Sequence, residues 1–322
     1  MSNNLFDGHI PSFGGIRSLL VLDLSNNHLS GGISGDLAMG LSSLKVLKLS
    51  NNSLHGRIFA IIFNLTSLVF WYLNNNYFLG KIPDCFSNAS FLEGVDIRNN
   101  HLSGVLPQWI GNKSYLEEIY LAKNQLEGPV PIVNSLSGSI PRCLTNLTFE
   151  SNYAKSVTGS KYDLFPPGIS QFSLYSSYFE SIRLPNVKEK VEFPTKGWSY
   201  SYDGNILIFM SGIDFSCNQL TGKIPSKMGN LSELHSLNVS HNNLTGSIPT
   251  TFSNLRHIGS LDLSYTNLNG SIPSELTELN TLVVCSVAHN NLTGKTPDFK
   301  AQFATFNEIS YEGNPHLWTS IT

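Results

Sequence analysis

Charge is scarce in this 322-residue chain. Asp, Glu, Lys and Arg together make up 13% of it, and the formal net charge is −3. No cluster of Lys and Arg disturbs that balance, which argues against nucleic acid or an acidic membrane as the main partner. Cysteine is rarer still. Cys85, Cys143, Cys217 and Cys285 are too few and too scattered for a disulfide framework, and no pair has metal-ligand spacing, so buried free thiols are expected. Long apolar runs are missing too. The longest, residues 59–73, is broken by Asn64, Thr66 and Ser67 and is too short to span a bilayer. The first six residues have neither the basic stretch nor the apolar core of an export signal, so the sequence as written is expected to lack both a leader and an anchor. Catalytic signatures are also wanting: there is no Gly-rich phosphate loop, nucleophile elbow or kinase motif. None of the nine histidines pairs with a Cys or carboxylate at ligand spacing. The expectation is a protein that is not an enzyme and uses no cofactor and no metal.

What the chain has is a repeat. Indexed on the Asn that ends Leu22-Asp-Leu24-Ser-Asn-Asn27, copies fall at residues 4, 27, 52, 76, 100, 124, 134, 218, 242, 266 and 290. Most spacings are 24, and a glycine stands four positions after every index residue. Internal repeats of this length signal a solenoid, in which each unit buries its apolar face against its neighbours. With 41% apolar residues the chain can fill such a core. Alternate residues of a short strand, as in Leu44-x-x-Val-Leu47-x-Leu49, point inward. The index Asn supplies donor and acceptor where the chain turns out of the sheet and is expected to stack into a ladder. Thr266 interrupts that ladder and should be a weak rung. A following Ile-Pro, as at Ile82-Pro83, Ile224-Pro225 and Ile272-Pro273, turns an apolar residue inward and stops regular helix. Strands of one parallel inner sheet are expected near Leu22, Leu47, Tyr72, Asp96, Tyr120, Asp214, Asn238, Asp262 and Ser286.

Two breaks interrupt the register. Asn124 and Asn134 are only 10 apart, 14 short of a repeat, and Pro129 and Pro131 occupy the strand positions between them. A local defect of the sheet, with no paired strand between Asn124 and Asn134, is expected there. The second break, about residues 152–205, is rich in aromatics and lacks the leucine register. The resulting organisation is 1–150 leucine-rich repeats, 151–205 an island, 206–300 four further repeats, and 301–322 a degenerate carboxyl-terminal cap remnant.

The unit Leu-x-x-Leu-x-Leu-x-x-Asn-x-Leu-x-Gly-x-Ile-Pro resembles the plant subclass of extracellular leucine-rich repeats. The resemblance implies an α/β repeat solenoid, a plant-type superhelix with a parallel inner β-sheet interrupted by a non-repeat island. The island, the four closing repeats and the ending from Phe303 to Leu317 narrow the resemblance to plant leucine-rich-repeat receptor-like proteins. That family implies a cell-surface module at the plasma membrane. It would bind a peptide or protein ligand on its concave face and island, and signal through co-receptor and adaptor receptor kinases in defence or development. The chain departs from the family in lacking an amino-terminal Cys-containing cap and in having Trp318 where a cap cysteine is usual. Other readings are a secreted inhibitor resembling polygalacturonase-inhibiting proteins, which the island disfavours, and a non-functional gene fragment.

Candidate sites follow from the repeat positions. Phe70, Tyr72, Asp96, Arg98 and Tyr120 should form a mixed aromatic and charged ligand-binding patch on the solvent side of the inner sheet. His235, His241, Tyr265 and His289 should lie near one rim, where the resemblance places contacts with a partner kinase. Asn-x-Ser/Thr sequons occur at Asn51, Asn64, Asn88, Asn112, Asn146, Asn230, Asn238, Asn243, Asn269 and Asn291. Of these Asn64, Asn88, Asn112, Asn146 and Asn230 lie 12 residues after an index position, on the expected outer side of the coil.

Overall fold

The computed structural model describes residues 1–13, 16, 18–35, 41, 43–58, 65–112, 116–128, 191–195, 198–202, 212–297 and 301–318. The chain divides into two compact units, one of Met1–Phe149 with Gly212–Thr322 and one of Glu150–Ser211. In the second, Val191–Thr195 and Trp198–Tyr202 form an antiparallel hairpin with Phe193 opposite Tyr200.

The first unit is a stack of repeats. Nine three-residue strands, at 21–23, 46–48, 70–72, 94–96, 118–120, 212–214, 236–238, 260–262 and 284–286, build one parallel sheet in chain order. Each lies where the repeat placed it. The middle residue of each strand, from Leu22 through Trp71 and Ile119 to Cys285, is buried in the core. Burying one such Leu contributes roughly 2 kcal/mol. A single repeat holds too few to offset its own ordering, so neighbours must stack. On the other side of the core run short 3-10 helices such as Asp84–Asn88, Ser226–Asn230, Thr250–Asn254 and Ser274–Glu278. Each follows a proline whose fixed φ ends the extended segment, for example Pro83 at −67°.

The index asparagines do form a ladder. Asn76 Nδ2 donates to the carbonyls of Leu73 at 3.1 Å and of Leu49, one repeat earlier, at 3.0 Å, while its Oδ1 accepts the Leu54 N–H at 3.0 Å. The same set recurs at Asn100, Asn124, Asn218 and Asn242. At Thr266 one hydroxyl stands in for this amide, 2.5 Å from Asn290 Oδ1 and 3.2 Å from the Leu263 carbonyl.

The expected parallel inner sheet is present, and beside it an unforeseen second parallel sheet of eleven strands runs from Asp7–His9 to His316–Trp318, built from the x-Leu-x-Gly segment after each index residue. Its buried residues, such as Leu54, Phe78, Leu102 and Leu244, face the same core. One expectation is corrected within the described residues: no paired strand was expected between Asn124 and Asn134, yet residues 125–128 carry one. Gln125–Gly128 is a paired strand of the second sheet, hydrogen-bonded on both sides. In the nine-stranded sheet Ile119 has Val95 on one side and Ile213 on the other. The rung after Asn124 is Asn218, whose Oδ1 accepts the Leu126 N–H at 3.1 Å. Register thus resumes across 83 residues lying between Gly128 and Gly212. The index residue Asn134 and Pro129 and Pro131 lie outside the described residues.

Candidate functional site

Many polar side chains on the open face of the nine-stranded sheet are already committed to the turn that follows each strand. The Asp23, Asp214 and Asp262 carboxylates, and the Asn238 amide oxygen, accept the N–H of the residue two further on at 3.0 Å. These are Asx turns, which explains Leu-Asp-Leu-Ser as a structural element. Burial raises the carboxyl pKa of Asp214 and of Asp262, in each case only partly offset by hydrogen bonds from the serine.

Between strands 46–48 and 212–214 the face changes character. Asp96 again takes the N–H two residues on, here of Arg98 at 3.1 Å, and Arg98 closes a bidentate pair on it at 2.9 and 2.6 Å. The Arg98 guanidinium lies 4.8 Å from the centre of the Tyr120 ring. Two repeats before, Lys48 Nζ is 5.3 Å from the centre of the Tyr72 ring, which packs at 5.8 Å against Phe70. The Tyr72 hydroxyl reaches across strand 94–96 to donate to Glu118 Oε2 at 3.1 Å. Gly94 makes this possible: a Cβ there would stand 2.9 Å from both the Tyr72 hydroxyl and Phe70 Cδ1. Gly212 plays the same part under Tyr120.

The five residues proposed from the sequence therefore do come together, but they are less open than expected. Phe70, Asp96 and Tyr120 are buried, and Tyr72 and Arg98 are half-buried. For Arg98 burial alone would lower the pKa, but the Asp96 charge and hydrogen bonds outweigh it and hold the guanidinium charged. Burial, with the Glu118 carboxylate, pushes the Tyr120 phenol well above its usual range. The result is a rigid, internally paired surface of aromatic rings and one ion pair. Lys48 and Glu118 belong to it as much as the five. Their positions in the repeat are visible in the sequence; their partners, one repeat away for Lys48 and two for Glu118, are not.

A second feature runs along the edge. The residue before each index residue sits in the left-handed region, from Asn26 at φ 54° to His289 at φ 52°. In the early repeats it is Asn, and the side chains bond in series: Asn51 to Asn26 at 2.7 Å, Asn75 to Asn51 at 2.5 Å, Asn99 to Asn75 at 2.5 Å. In the closing repeats His241, Tyr265 and His289 occupy it as a column of rings, with centroids 4.3 and 4.2 Å apart and planes within 10° and 21°. His289 also meets Glu312 at 3.3 Å. His235 is not in this column. It pairs instead with His257, at 5.9 Å, ahead of the strands, and burial lowers its pKa.

The sequons separate by position. Asn88 and Asn230 end 3-10 turns and are exposed. Asn243, Asn269 and Asn291 are exposed on the eleven-stranded sheet. Asn51 is held in the amide series, and Asn238 in its Asx turn. Asn112 ends another 3-10 turn, while Asn64 and Asn146 lie outside the described residues. Cys285 is a buried free thiol, its pKa pushed up to about 12 by burial. Cys217 is free but only half-buried, a correction to the expected core thiol, because it takes the edge position and not a strand centre. Among the described residues no group of three or more His, Cys, Asp or Glu side chains could hold a metal ion, and no helix is long and apolar enough to cross a membrane.

Family models for the leucine-rich repeat match residues 1–55 and, in single units, 91–113, 233–255 and 257–279. Cuscuta receptor 1 of Solanum lycopersicum is 78% identical over 134 residues, which is 42% of this chain and 12% of that protein. The putative receptor-like protein 8 of Arabidopsis thaliana is 35% identical over 109 residues, 31% of this chain and 11% of that protein. The chain thus aligns with about an eighth or less of the length of these relatives. Among solved structures, the Arabidopsis receptor kinase HAESA, in complex with the peptide hormone IDA and the co-receptor SERK1, superposes with a TM-score of 0.72 at 28% identity, over 100% of this chain and 42% of that one. The plant peptide hormone receptor RGFR1, in complex with RGF2, gives a TM-score of 0.63 at 25% identity, over 92% of this chain and 40% of that one. Repeat, sheet order and relatives agree: the chain is built of leucine-rich repeats and, over the stretches compared, is similar to plant receptor-like proteins.

Proposed function

We propose that the chain is a recognition segment of a cell-surface receptor, binding a peptide or protein ligand on the open face of the nine-stranded sheet. It would signal through partner receptor kinases and perform no catalysis itself. The observation that carries this reading is the network of Lys48, Tyr72, Glu118, Asp96, Arg98 and Tyr120. Side chains locked in place by pairing and ring contacts lose little entropy on binding, which is what a preorganised recognition surface requires. Rings and an ion pair side by side also suit hot-spot contacts to a polypeptide. The similarity to ectodomains solved with peptide hormones supports the same class of ligand. The His241, Tyr265 and His289 column is the proposed contact for a co-receptor ectodomain, with His235 outside it.

The test has two arms. The secreted chain is panned against a displayed peptide library, and selected peptides are titrated against Tyr72→Ala and Arg98→Ala. Loss of binding in both variants is expected; peptides that bind all three proteins equally would remove the site from this face. In the second arm the SERK1 ectodomain is titrated against Tyr265→Ala, with weaker association expected. On the secreted protein, glycopeptide mass spectrometry is expected to find sugar on Asn88, Asn230, Asn243, Asn269 and Asn291, and none on Asn51 or Asn238, whose amides are engaged within the fold.

A further inference from the structure

On the eleven-stranded sheet the residues one and three after each index position point outward. In the closing repeats these are uncharged and polar, Asn243, Thr245, Asn267, Asn269, Asn291 and Thr293, and three sequons lie among them. Around strands Ser53–Arg57, Tyr77–Gly80 and His101–Gly104 the same face is different. Tyr77 is 55% exposed and Leu79 46%. His55 stands in register with Tyr77, Arg57 with Leu79, and Leu79 with His101. The Tyr77 and His101 rings lie 6.0 Å apart at 28°.

Cations frame this patch. The Arg57 stem lies across the next strand at Gly80, its Cγ 3.3 Å from where a Cβ would be, and the Lys81 stem lies likewise across Gly104 at 3.0 Å. Both glycines have positive φ, at 85° and 81°, so the lane is kept open twice over, by conformation and by close approach. The three strands and Lys81 contain no Asp or Glu, and no sequon asparagine lies on their outward face.

We propose that this face docks a short acidic segment of a partner protein, its carboxylates on Arg57 and Lys81 and an apolar side chain on Tyr77 and Leu79. Three strands at about 4.8 Å spacing give a width that suits a segment of a few residues and not a large interface. The exposed Leu79 favours a polypeptide over an acidic polysaccharide, which has no aliphatic side chain to cover it. The surface shares no residue with the ligand face proposed above, so the two readings stand or fall separately.

The test uses the full chain and a fluorescein-labelled hexapeptide, Glu-Asp-Phe-Glu-Leu-Asp, followed by anisotropy, with polygalacturonate as competitor. Saturable binding that weakens with added salt is expected. It should fall about tenfold or more in Arg57→Glu/Lys81→Glu and in the milder Arg57→Gln/Lys81→Gln. Tyr77→Ser should lose affinity with little change in salt dependence, while Tyr72→Ala and Arg98→Ala bind as the parent does. All the patch substitutions are at exposed positions, and an unchanged melting curve checks their folding. Absence of binding to the parent chain, or equal binding by the charge variants, overturns the proposal. So does binding of polygalacturonate that the peptide cannot displace, which would assign the patch to a polysaccharide.

Discussion

The edge of the solenoid meets one backbone demand in two ways. From Asn26 to Asn99 the left-handed residue is asparagine, and from His241 to His289 it is His, Tyr and His, all with φ between 51° and 56°. Asparagine tolerates this region because its short amide bonds locally, whereas other L-residues lose roughly 1 kcal/mol or more there. The first region therefore obtains its ladder without strain, as amide-to-amide bonds along the edge. The second carries the strain and offsets it with ring stacking, about 0.5–1.5 kcal/mol for each pair. The repeat thus prescribes a dihedral angle at this position, not a residue. Where selection for another purpose installs rings, stacking between repeats makes the substitution tolerable.

The deepest test separates this edge from the core ladder one residue later. Asn76→Ala leaves the Leu54 N–H and the carbonyls of Leu49 and Leu73 without the amide, all buried. A loss of about 3 kcal/mol is expected, since each stranded buried group costs roughly 1–3 kcal/mol. Asn75→Ala, at the exposed edge, should cost about 1–2 kcal/mol, mostly the left-handed dihedral that alanine tolerates poorly, since its amide bonds are exposed. Urea unfolding gives both values, and hydrogen exchange at Leu54 should accelerate only in Asn76→Ala. Equal costs would mean that edge and core ladders are equivalent.

The next effect is smaller and sharpens the contrast itself. Tyr265→Ala removes both stacks and keeps the strained dihedral, so a loss of about 1–2 kcal/mol is expected in thermal or urea unfolding. Tyr265→Asn also removes the stacks but suits the dihedral, and should cost less than about 0.5 kcal/mol. If the two variants are equally unstable, backbone strain is not what the rings offset. Thr266→Asn, beside it, restores the missing rung and should stabilise by about 1 kcal/mol, the worth of an ordinary hydrogen bond.

Much of this was legible in the letters. All nine strands of the first sheet and the asparagine ladder follow from a 24-residue register, because each is local chemistry repeated. The second sheet was not read, since x-Leu-x-Gly is too short to show a period of its own; it pairs only because stacking brings identical segments side by side. Direct pairing of Glu118–Tyr120 with Gly212–Asp214 accords with the single inner sheet expected on both sides of the island, but not with the defect expected after Asn124. Spacing along the chain suggested an intermediate rung at Asn134, while the sheet needs only the next strand that fits. Of the proposed ligand face, the membership of Phe70, Tyr72, Asp96, Arg98 and Tyr120 comes from position in the repeat. Their burial and pairing did not, because the Tyr72 to Glu118 contact depends on the missing side chain of Gly94 between them.

The smallest expected effect concerns two residues at equivalent strand ends, Asn238 and Asp262. Both accept the serine N–H two positions on at 3.0 Å, so the turn needs the oxygen and not the charge. In Asp262 the oxygen also takes the Ser264 hydroxyl at 2.6 Å. Burial raises the Asp262 pKa despite these bonds and despite the charge that His241 offers. A carboxyl whose folded pKa is raised favours the native state below its unfolded value and loses that contribution as pH rises through the folded one. Asp262→Asn keeps the acceptor and removes the buried charge. At about pH 7 its melting midpoint should lie above that of the parent, and near pH 3, where an ordinary carboxyl is largely protonated, the two midpoints should converge. Asn238→Asp is the reverse exchange on a half-buried neighbour, and should lower the midpoint by less, because solvent relieves more of the charge. A gain for Asp262→Asn that persists undiminished in acid would show that amide packing, and not the ionised carboxylate, distinguishes the two strand ends.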